Sequence, residues 1–303
     1  MTRGVLIYNP AAGGRTTPEH MRGVVERARA TGVELEPRPT TAPGSAPAIV
    51  AQALRRAPDL IVAAGGDGTV GEVAGALVDS RVPLAILPYG TANVLAREFG
   101  IGVDVMQAER CLASDVRRSL TAWHAAGRIA TMWMGVGFDA RMLRSVHPTL
   151  KRNLGRVGIA FTALAEFWQY EFPTLRIEGV GEDGSAFEHE ATYAVAANIQ
   201  RYGGDMMLAP GADPADKLLD LVLFTGRDRA SLTRLLLRIA AGGMRDPIIP
   251  DVIRLRARSM MARSTVAAGA DVQVDGDYVG TTPATIGPVA GVVEVMVPGG
   301  VGR

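Results

Sequence analysis

The run Leu60-Ile61-Val62-Ala63-Ala64 passes without a spacer into Gly65-Gly66-Asp67-Gly68-Thr69, and a helical stretch from Val70 to Val78 follows. A continuous apolar run of this kind reads as a strand buried on both faces, as in a parallel sheet covered by helices. The three glycines reach backbone angles closed to other residues, and the helix behind them directs unpaired N–H groups and the positive end of its dipole at the turn. Such a turn suits an anionic ligand. Asp67 has the wrong charge to hold a bare phosphate, so its expected work is through magnesium or on a nearby proton. The segment reads as a site for a metal-nucleotide.

The same alternation extends over the first hundred residues. Residues 5–8, 33–36, 60–64 and 84–87 read as strands, with helices near 18–30, 45–56, 70–79 and 92–99. This βαβ pattern predicts an α/β domain with a mainly parallel sheet, whose ligands gather at the carboxyl ends of the strands. Four suggestive segments fall at those ends: Asn9-Pro10-Ala11-Ala12-Gly13-Gly14, Thr40-Thr41, the glycine turn, and Leu87-Pro88-Tyr89-Gly90-Thr91-Ala92-Asn93. Beyond about residue 115 short strand-like runs flank Ala125-Ala126-Gly127 and Glu182-Asp183-Gly184, so an antiparallel β-rich domain is expected there. Two helical stretches interrupt it, roughly 154–170 and 231–241.

With 303 residues, 48% of them hydrophobic, the chain has material for two cores. The net charge of +1 and the absence of any long Lys/Arg run argue against nucleic acid as a partner. Cys111 is the only cysteine, which excludes an internal disulfide framework and a cysteine-based zinc site. The four histidines, at 20, 124, 147 and 189, show no ligand spacing. The strand-like residues after Met1-Thr2-Arg3-Gly4 leave no room for a signal peptide, and no apolar stretch reaches the roughly 18 residues of a membrane span. A cytoplasmic protein, peripheral to the membrane at most, is the expectation.

The only lysines are Lys151 and Lys217, and no Gly-x-x-x-x-Gly-Lys-Ser/Thr is present. A P-loop is excluded, and phosphates must be held by backbone N–H groups, the Thr69 and Thr91 hydroxyls, and magnesium. Gly135-Val136-Gly137-Phe138-Asp139-Ala140 imitates a dinucleotide fingerprint, but it stands in the β-rich half without a βαβ unit, so no nicotinamide or flavin site is expected.

Asn9-Pro10-x-x-Gly13, Gly65 to Thr69 with Glu72-Val73, and Leu87-Pro88-x-Gly90-Thr91-x-Asn93-x-x-Ala96-Arg97 together resemble the signatures of the diacylglycerol kinase catalytic family, specifically the soluble bacterial lipid kinases related to sphingosine and ceramide kinases. Gly137-Phe138-Asp139-Ala140, Ala209-Pro210-x-Ala212 with Asp216, and Val272-Gln273-Val274-Asp275-Gly276-Asp277 resemble later blocks in the right order, so the resemblance covers nearly the whole chain. It implies a nucleotide-binding α/β domain over 1–120, a β-sandwich-like lipid-binding domain over 121–289, a tail near 290–303 returning to the first, and an active site in the cleft between them.

The resemblance also implies roles. Asn9, Thr40, the loop Gly65, Gly66, Asp67, Gly68, Thr69, Val70, Gly71 and Glu72, and then Thr91 and Asn93, would bind ATP. Asp213, Asp216 and the Leu218 carbonyl would hold a structural Mg2+, although Lys217 stands where the family has glycine. Asp277 replaces the family's glutamate as general base, with Asp67 as its rival, and Asp275-Gly276-Asp277 also reads as a plain hairpin turn. The implied activity is ATP- and Mg2+-dependent phosphorylation of a hydroxyl on a diacylglycerol-like lipid. NAD kinase and a catalytically silent lipid or nucleotide sensor are the alternatives. The apolar stretch 154–170 suits either an acyl pocket or a core, and the Arg-bearing helix near Ser231 to Ile239 either a peripheral contact with anionic membrane or ordinary docking. An exposed edge strand in the β-rich half leaves a homodimer open.

Overall fold

The computed structural model of the chain describes residues 1–12, 14–145, 166–246 and 248–299. They form two compact units: Met1–Ala122, Arg201–Asp205 and the chain from Ala290 on make the first, and Trp123–Gln200 with Met206–Val289 the second. The excursion of Arg201–Asp205 into the first unit has no signal in the hydrophobic pattern.

In the first unit β1 (Thr2–Tyr8), β2 (Val33–Pro39), β3 (Leu60–Gly65) and β4 (Leu84–Pro88) lie parallel in the order β4-β3-β1-β2. All of β3 is buried, as its unbroken apolar run requires. Tyr8 stands opposite Pro39 and Ala64, and Gly65 opposite Pro88, so the carboxyl ends of all four strands are level. The prolines of β2, Pro37 and Pro39, are tolerated because β2 is the edge. Helix α1 (Pro18–Ala30) starts where the Thr17 hydroxyl caps the His20 N–H and buries Met21, Val24 and Ala28, one face at helical spacing. Helices α2 (Ala46–Leu54), α3 (Asp67–Ala76), α4 (Val94–Glu98) and α5 (Val105–Glu109) complete the unit.

Helix α3 begins three residues earlier than its apolar periodicity predicts. Gly66 is extended, with φ −89° and ψ −178°, and Asp67 already lies in the first turn, where a carboxylate complements the dipole.

The second unit is antiparallel. Its strands are β6 (Arg128–Ala130), β7 (Trp133–Val136), β8 (Leu175–Gly181), β9 (Ala186–Ala191), β10 (Tyr193–Ala197), β12 (Met206–Met207), β13 (Leu219–Phe224), β14 (Val252–Ser264), β15 (Asp271–Val274) and β16 (Asp277–Thr281). β5 (Arg117–Ala125) and β17 (Ala284–Met296) run from one unit into the other, and β11 (Arg201–Tyr202) belongs to the first. The order β16-β15-β7-β10-β13-β14 is continued by the hairpin β8-β9 on the far half of β14, where a bulge between Ala257 and Ser259 redirects that strand. Trp123, Met134, Val136, Ile177, Leu221, Met260 and Ile286 meet in its core. Helix α6 (Phe138–Ser145) follows β7, and α7 (Arg229–Ala240) follows β13.

The end of β17 returns to the first unit, placing Val295 parallel to Leu84 of β4. Ser114 Oγ donates to the Val297 carbonyl at 2.6 Å, and Ser119 Oγ to Glu294 Oε1 at 2.8 Å. Most of the apolar stretch 154–170 lies outside the described residues.

Candidate active site

Three turns meet at the level strand ends of the first unit. Tyr89 N–H donates to the Gly65 carbonyl at 3.0 Å, binding the turn after β4 to the turn after β3. Asn9 follows β1; its N–H donates to the Ala64 carbonyl at 3.1 Å, and its Nδ2 lies 3.5 Å from Thr69 Oγ1. Thr40 N–H donates to the Tyr8 carbonyl at 2.8 Å, which holds the end of β2 beside the same edge. A Cβ on Gly66 would stand 3.2 Å from Gly90 Cα, and one on Gly65 2.8 Å from Thr69 Cβ. Gly66 lets two backbones touch, and Gly65 makes room for the Thr69 side chain. A Cβ on Gly68 would meet nothing within 4 Å, so its missing side chain leaves open space at the first turn of α3. Thr91 is exposed, Val70 buried, and Gly71 half-buried in α3.

Asn93 adopts a left-handed conformation, φ 50°, and clasps its own turn: Oδ1 accepts from Gly90 N–H and Nδ2 donates to the Gly90 carbonyl, both at 2.8 Å. Asparagine suits both the backbone and the bonding. Asp67 points across to the next helix, and its Oδ1 accepts from the Leu95 N–H at 3.2 Å. Burial pushes its carboxyl above the usual range, while backbone N–H groups of Leu95, Val94 and Asn93 oppose that rise. Asp67 thus ties the glycine turn to α4. Glu72 is bonded within the unit. Its oxygens accept from Gly44 N–H at 2.8 Å and Ala46 N–H at 3.2 Å, holding the loop that starts α2.

In the second unit Asp275 and Gly276 both have positive φ, 51° and 88°, and form the two-residue turn between β15 and β16. Asp275 is the acid that sequence reasoning passed over. Its carboxylate accepts from Thr131 N–H (2.7 Å), Thr131 Oγ1 (2.9 Å), Met132 N–H (2.9 Å) and Trp133 N–H (2.9 Å), which pins the turn to the segment entering β7. The hairpin places Asp277 at the exposed start of β16, 3.4 Å from Arg128 Nη1. Nearby, Gln273 Nε2 donates to Asp139 Oδ2 at 2.9 Å, with both residues buried. Gly137, at φ 109°, turns β7 into α6, so the segment is a strand-turn-helix after all. β7 is antiparallel to both its neighbours, and Asp139 is turned inward to Gln273 and to its own helix, which leaves no dinucleotide cradle.

The diacylglycerol kinase catalytic domain matches residues 3–123, and the YegS C-terminal NAD kinase beta sandwich-like domain matches residues 133–297. The diacylglycerol kinase of Bacillus subtilis is 27% identical over 301 residues, covering 98% of this chain and 97% of that protein. A Pseudomonas fluorescens protein named "Probable lipid kinase YegS-like" is 30% identical over 268 residues, 88% of this chain and 86% of its own. The chain belongs to the diacylglycerol kinase family of lipid kinases. Its fold agrees: the crystal structure of a Bacillus anthracis diacylglycerol kinase superposes with a TM-score of 0.71 at 20% identity, covering 99% of this chain and 98% of that one.

In this lipid kinase the loop expected to hold a structural Mg2+ is held by other means. Asp216 Oδ1 accepts from Leu218 N–H at 2.8 Å, and its other oxygen is paired with Arg256 of β14. Asp213 Oδ1 accepts from Ala215 N–H at 3.0 Å. Lys217 takes the left-handed angle, φ 61°, that glycine would adopt freely. Among the described residues no three His, Cys, Asp or Glu side chains are placed to share an ion. The guanidinium already supplies the positive charge, and Asp213, Asp216 and Leu218 as they stand do not fit a divalent ion. Asp220 adds to the charge on the same arginine: its Oδ2 is buried without a hydrogen bond, 3.9 Å from Arg256 Nε, and burial pushes its carboxyl up to about 6.

Proposed function

We propose that this lipid kinase transfers the γ-phosphate of ATP, taken up with Mg2+ as the substrate complex, to a hydroxyl of a diacylglycerol-like lipid. The observation that carries the reading is the convergence of Asn9, the Gly65 to Thr69 turn and the Gly90 to Asn93 turn on one sheet edge of a unit whose sequence contains no lysine. A nucleotide held there relies on backbone N–H groups, on the hydroxyls of Thr40, Thr69 and Thr91, and on the open space beside Gly68, while magnesium balances phosphate charge.

Asp277 is the group we assign to the acceptor hydroxyl. Its exposed carboxylate is free of the backbone bonds that immobilise Asp275, so it is available to draw the proton as the lipid oxygen attacks the γ-phosphorus. Asp67 acts indirectly, fixing the glycine turn against α4 so that the phosphates meet a preset cradle. Labelled ATP incubated with total lipid extract, diacylglycerol or NAD, with products resolved by chromatography, tests the reading. A labelled phosphatidic-acid-type product supports it. Label on NAD alone, or nucleotide binding without transfer to any lipid, overturns it.

A further inference from the structure

The glycines of Gly135-Val136-Gly137 build no dinucleotide cradle, yet both are needed where they stand. Gly135 lies opposite Gln273 in the ladder between β7 and β15. A Cβ there would run into Asp139 Oδ2 and Gln273 Nε2, so the glycine opens the space in which those two side chains meet. A Cβ on Gly137 would stand 2.7 Å from Tyr170 Oη, at the turn that leads into α6 and Asp139. Gln273 is fully buried and Asp139 nearly so. The side chains on either side of the pair along β7 and β15, Met134, Val136, Val272 and Val274, belong to the apolar core. A polar pair in such surroundings costs stability unless its donors and acceptors are used, and an apolar side chain would fill the space without that cost.

The other end of the Gln273 amide shows what it is for. Its Oε1 accepts from the Gly276 N–H at 2.8 Å, while its Nε2 donates to Asp139 Oδ2 at 2.9 Å. Gly276 is the second residue of the two-residue turn between Val274 and Asp277. Asp275 holds the first half of that turn to residues 131–133, and Gln273 holds the second half, one residue before Asp277. Among the described residues the carboxylate of Asp277 has a single partner, Arg128 at 3.4 Å, so its place is set by the turn. Only a side chain with a donor and an acceptor on one planar group can bridge a carboxylate and an N–H in this way. Around the pair stand Tyr170, whose phenol burial and then the Asp139 charge keep protonated, Arg141, paired with Glu166, and Arg144, 3.0 Å from Asp271 Oδ1.

We propose that Gln273, oriented by Asp139, is a positioning residue for phosphoryl transfer: the chain of bonds from Asp139 through Gln273 to Gly276 fixes the β15-β16 turn so that Asp277 meets the lipid hydroxyl in one geometry. The proposal rests on the reading of Asp277 as the group that draws the proton. A pair that served the core alone would lower the melting temperature when broken and leave the kcat of the folded enzyme where it was.

The test is steady-state transfer from ATP to diacylglycerol by the full chain and by Q273E, Q273L, Q273E/D139N and D277A, with melting curves taken with and without ATP. In Q273E two carboxylates face each other and one must take a proton. Its kcat should fall about tenfold or more at about pH 8, with KM for ATP unchanged, and recover relative to wild type toward about pH 6. Q273L cuts both bonds without adding charge, so its kcat should fall by a similar factor, in a ratio to wild type that is flat in pH. Q273E/D139N remakes each bond with donor and acceptor exchanged and should return kcat to within about threefold of wild type. If Q273E does not fold, Q273L decides. Wild-type kcat in Q273L, a double variant no better than a folded Q273E, or a loss confined to the KM for ATP overturns the proposal. Wild type that transfers to no lipid, or D277A that keeps full activity, removes the reading beneath the proposal and the proposal with it. An inactive D277A beside Q273E and Q273L at wild-type kcat overturns the proposal alone.

Discussion

Gly66 and Gly90 touch backbone to backbone: a Cβ on either would press on the Cα of the other. This contact joins the turn after β3 to the turn after β4, and the Tyr89 N–H to Gly65 carbonyl bond lies beside it. Gly90→Ala is therefore expected to part the two turns, costing about 2 kcal/mol or more of stability. Denaturant unfolding checks this; a loss below about 0.5 kcal/mol would mean the turns are free to separate.

Gly68 separates space-making for the fold from space-making for a ligand. Among the described residues nothing outside its own helix turn comes within 4 Å of the place its Cβ would take, and it lies inside a helix. Gly68→Ala should hold or raise stability, by up to about 1 kcal/mol from helix propensity. If that space admits phosphate, the same change raises the KM for ATP at least severalfold. Unchanged KM and kcat would remove the first turn of α3 from the nucleotide site.

The two aspartates of the β15-β16 turn should part company in the same way. Asp275 accepts four hydrogen bonds in a half-buried place, so Asp275→Ala strands three backbone N–H groups and should cost about 2 kcal/mol or more. Asp277 is exposed, and Asp277→Ala should leave the melting temperature nearly unchanged while abolishing transfer and sparing ATP binding. Asp277→Glu lengthens the side chain by one methylene, to the glutamate that the family resemblance implies, and should retain turnover. Full activity in Asp277→Ala would move the base elsewhere.

What was legible in the sequence was whatever a local pattern encodes. The buried run of β3 and the turn residues after β1, β3 and β4 foretold the parallel sheet and the edge where its turns converge, because strand period and glycine placement are short-range signals. Partners distant in sequence were not legible. Nothing in Asp67 announces that it will bond to Leu95, nor in Glu72 that it will hold Gly44 and Ala46, nor in Asp275 that it will collect three successive N–H groups from residues 131–133. The motif positions of these acids are conspicuous, but the bonds that use them depend on the fold. The Asp213 to Leu218 loop shows the converse. Lys217 disturbed the expected pattern, and the cation that answers it, Arg256, lies 40 residues from Asp216.

Asp67 should report its environment through pH. Burial raises its folded-state pKa above the unfolded value, so the folded protein binds the proton more tightly. The stability linked to this group is fully present below the unfolded pKa, near 4, and is lost as pH rises through the folded one. Asp67→Asn keeps an oxygen for the Leu95 N–H and has no such titration. It should therefore be as stable as wild type or more so at pH 7, and wild type should gain on it as pH falls toward about 4. A wild-type advantage that grows as pH rises would show that hydrogen bonds to the carboxylate outweigh its burial.

Arg256 sits where Asp216, Asp220 and Glu182 bring their charge together, with Glu182 Oε1 at 2.9 Å from its Nη1. A guanidinium in that place does the neutralising that a divalent ion would do, so the wild-type melting temperature without nucleotide should respond neither to millimolar Mg2+ nor to a chelator. Arg256→Leu removes the fixed cation and leaves three carboxylates facing one another. The group is partly exposed, so solvent limits the loss to about 1–2 kcal/mol. Mg2+ should then recover part of that loss, because Asp216 and Asp220 become available as oxygen ligands. Differential scanning fluorimetry of both proteins with Mg2+, Ca2+ and chelator separates the cases. Stabilisation of the wild type by Mg2+ alone would place an ion on this loop in spite of the arginine.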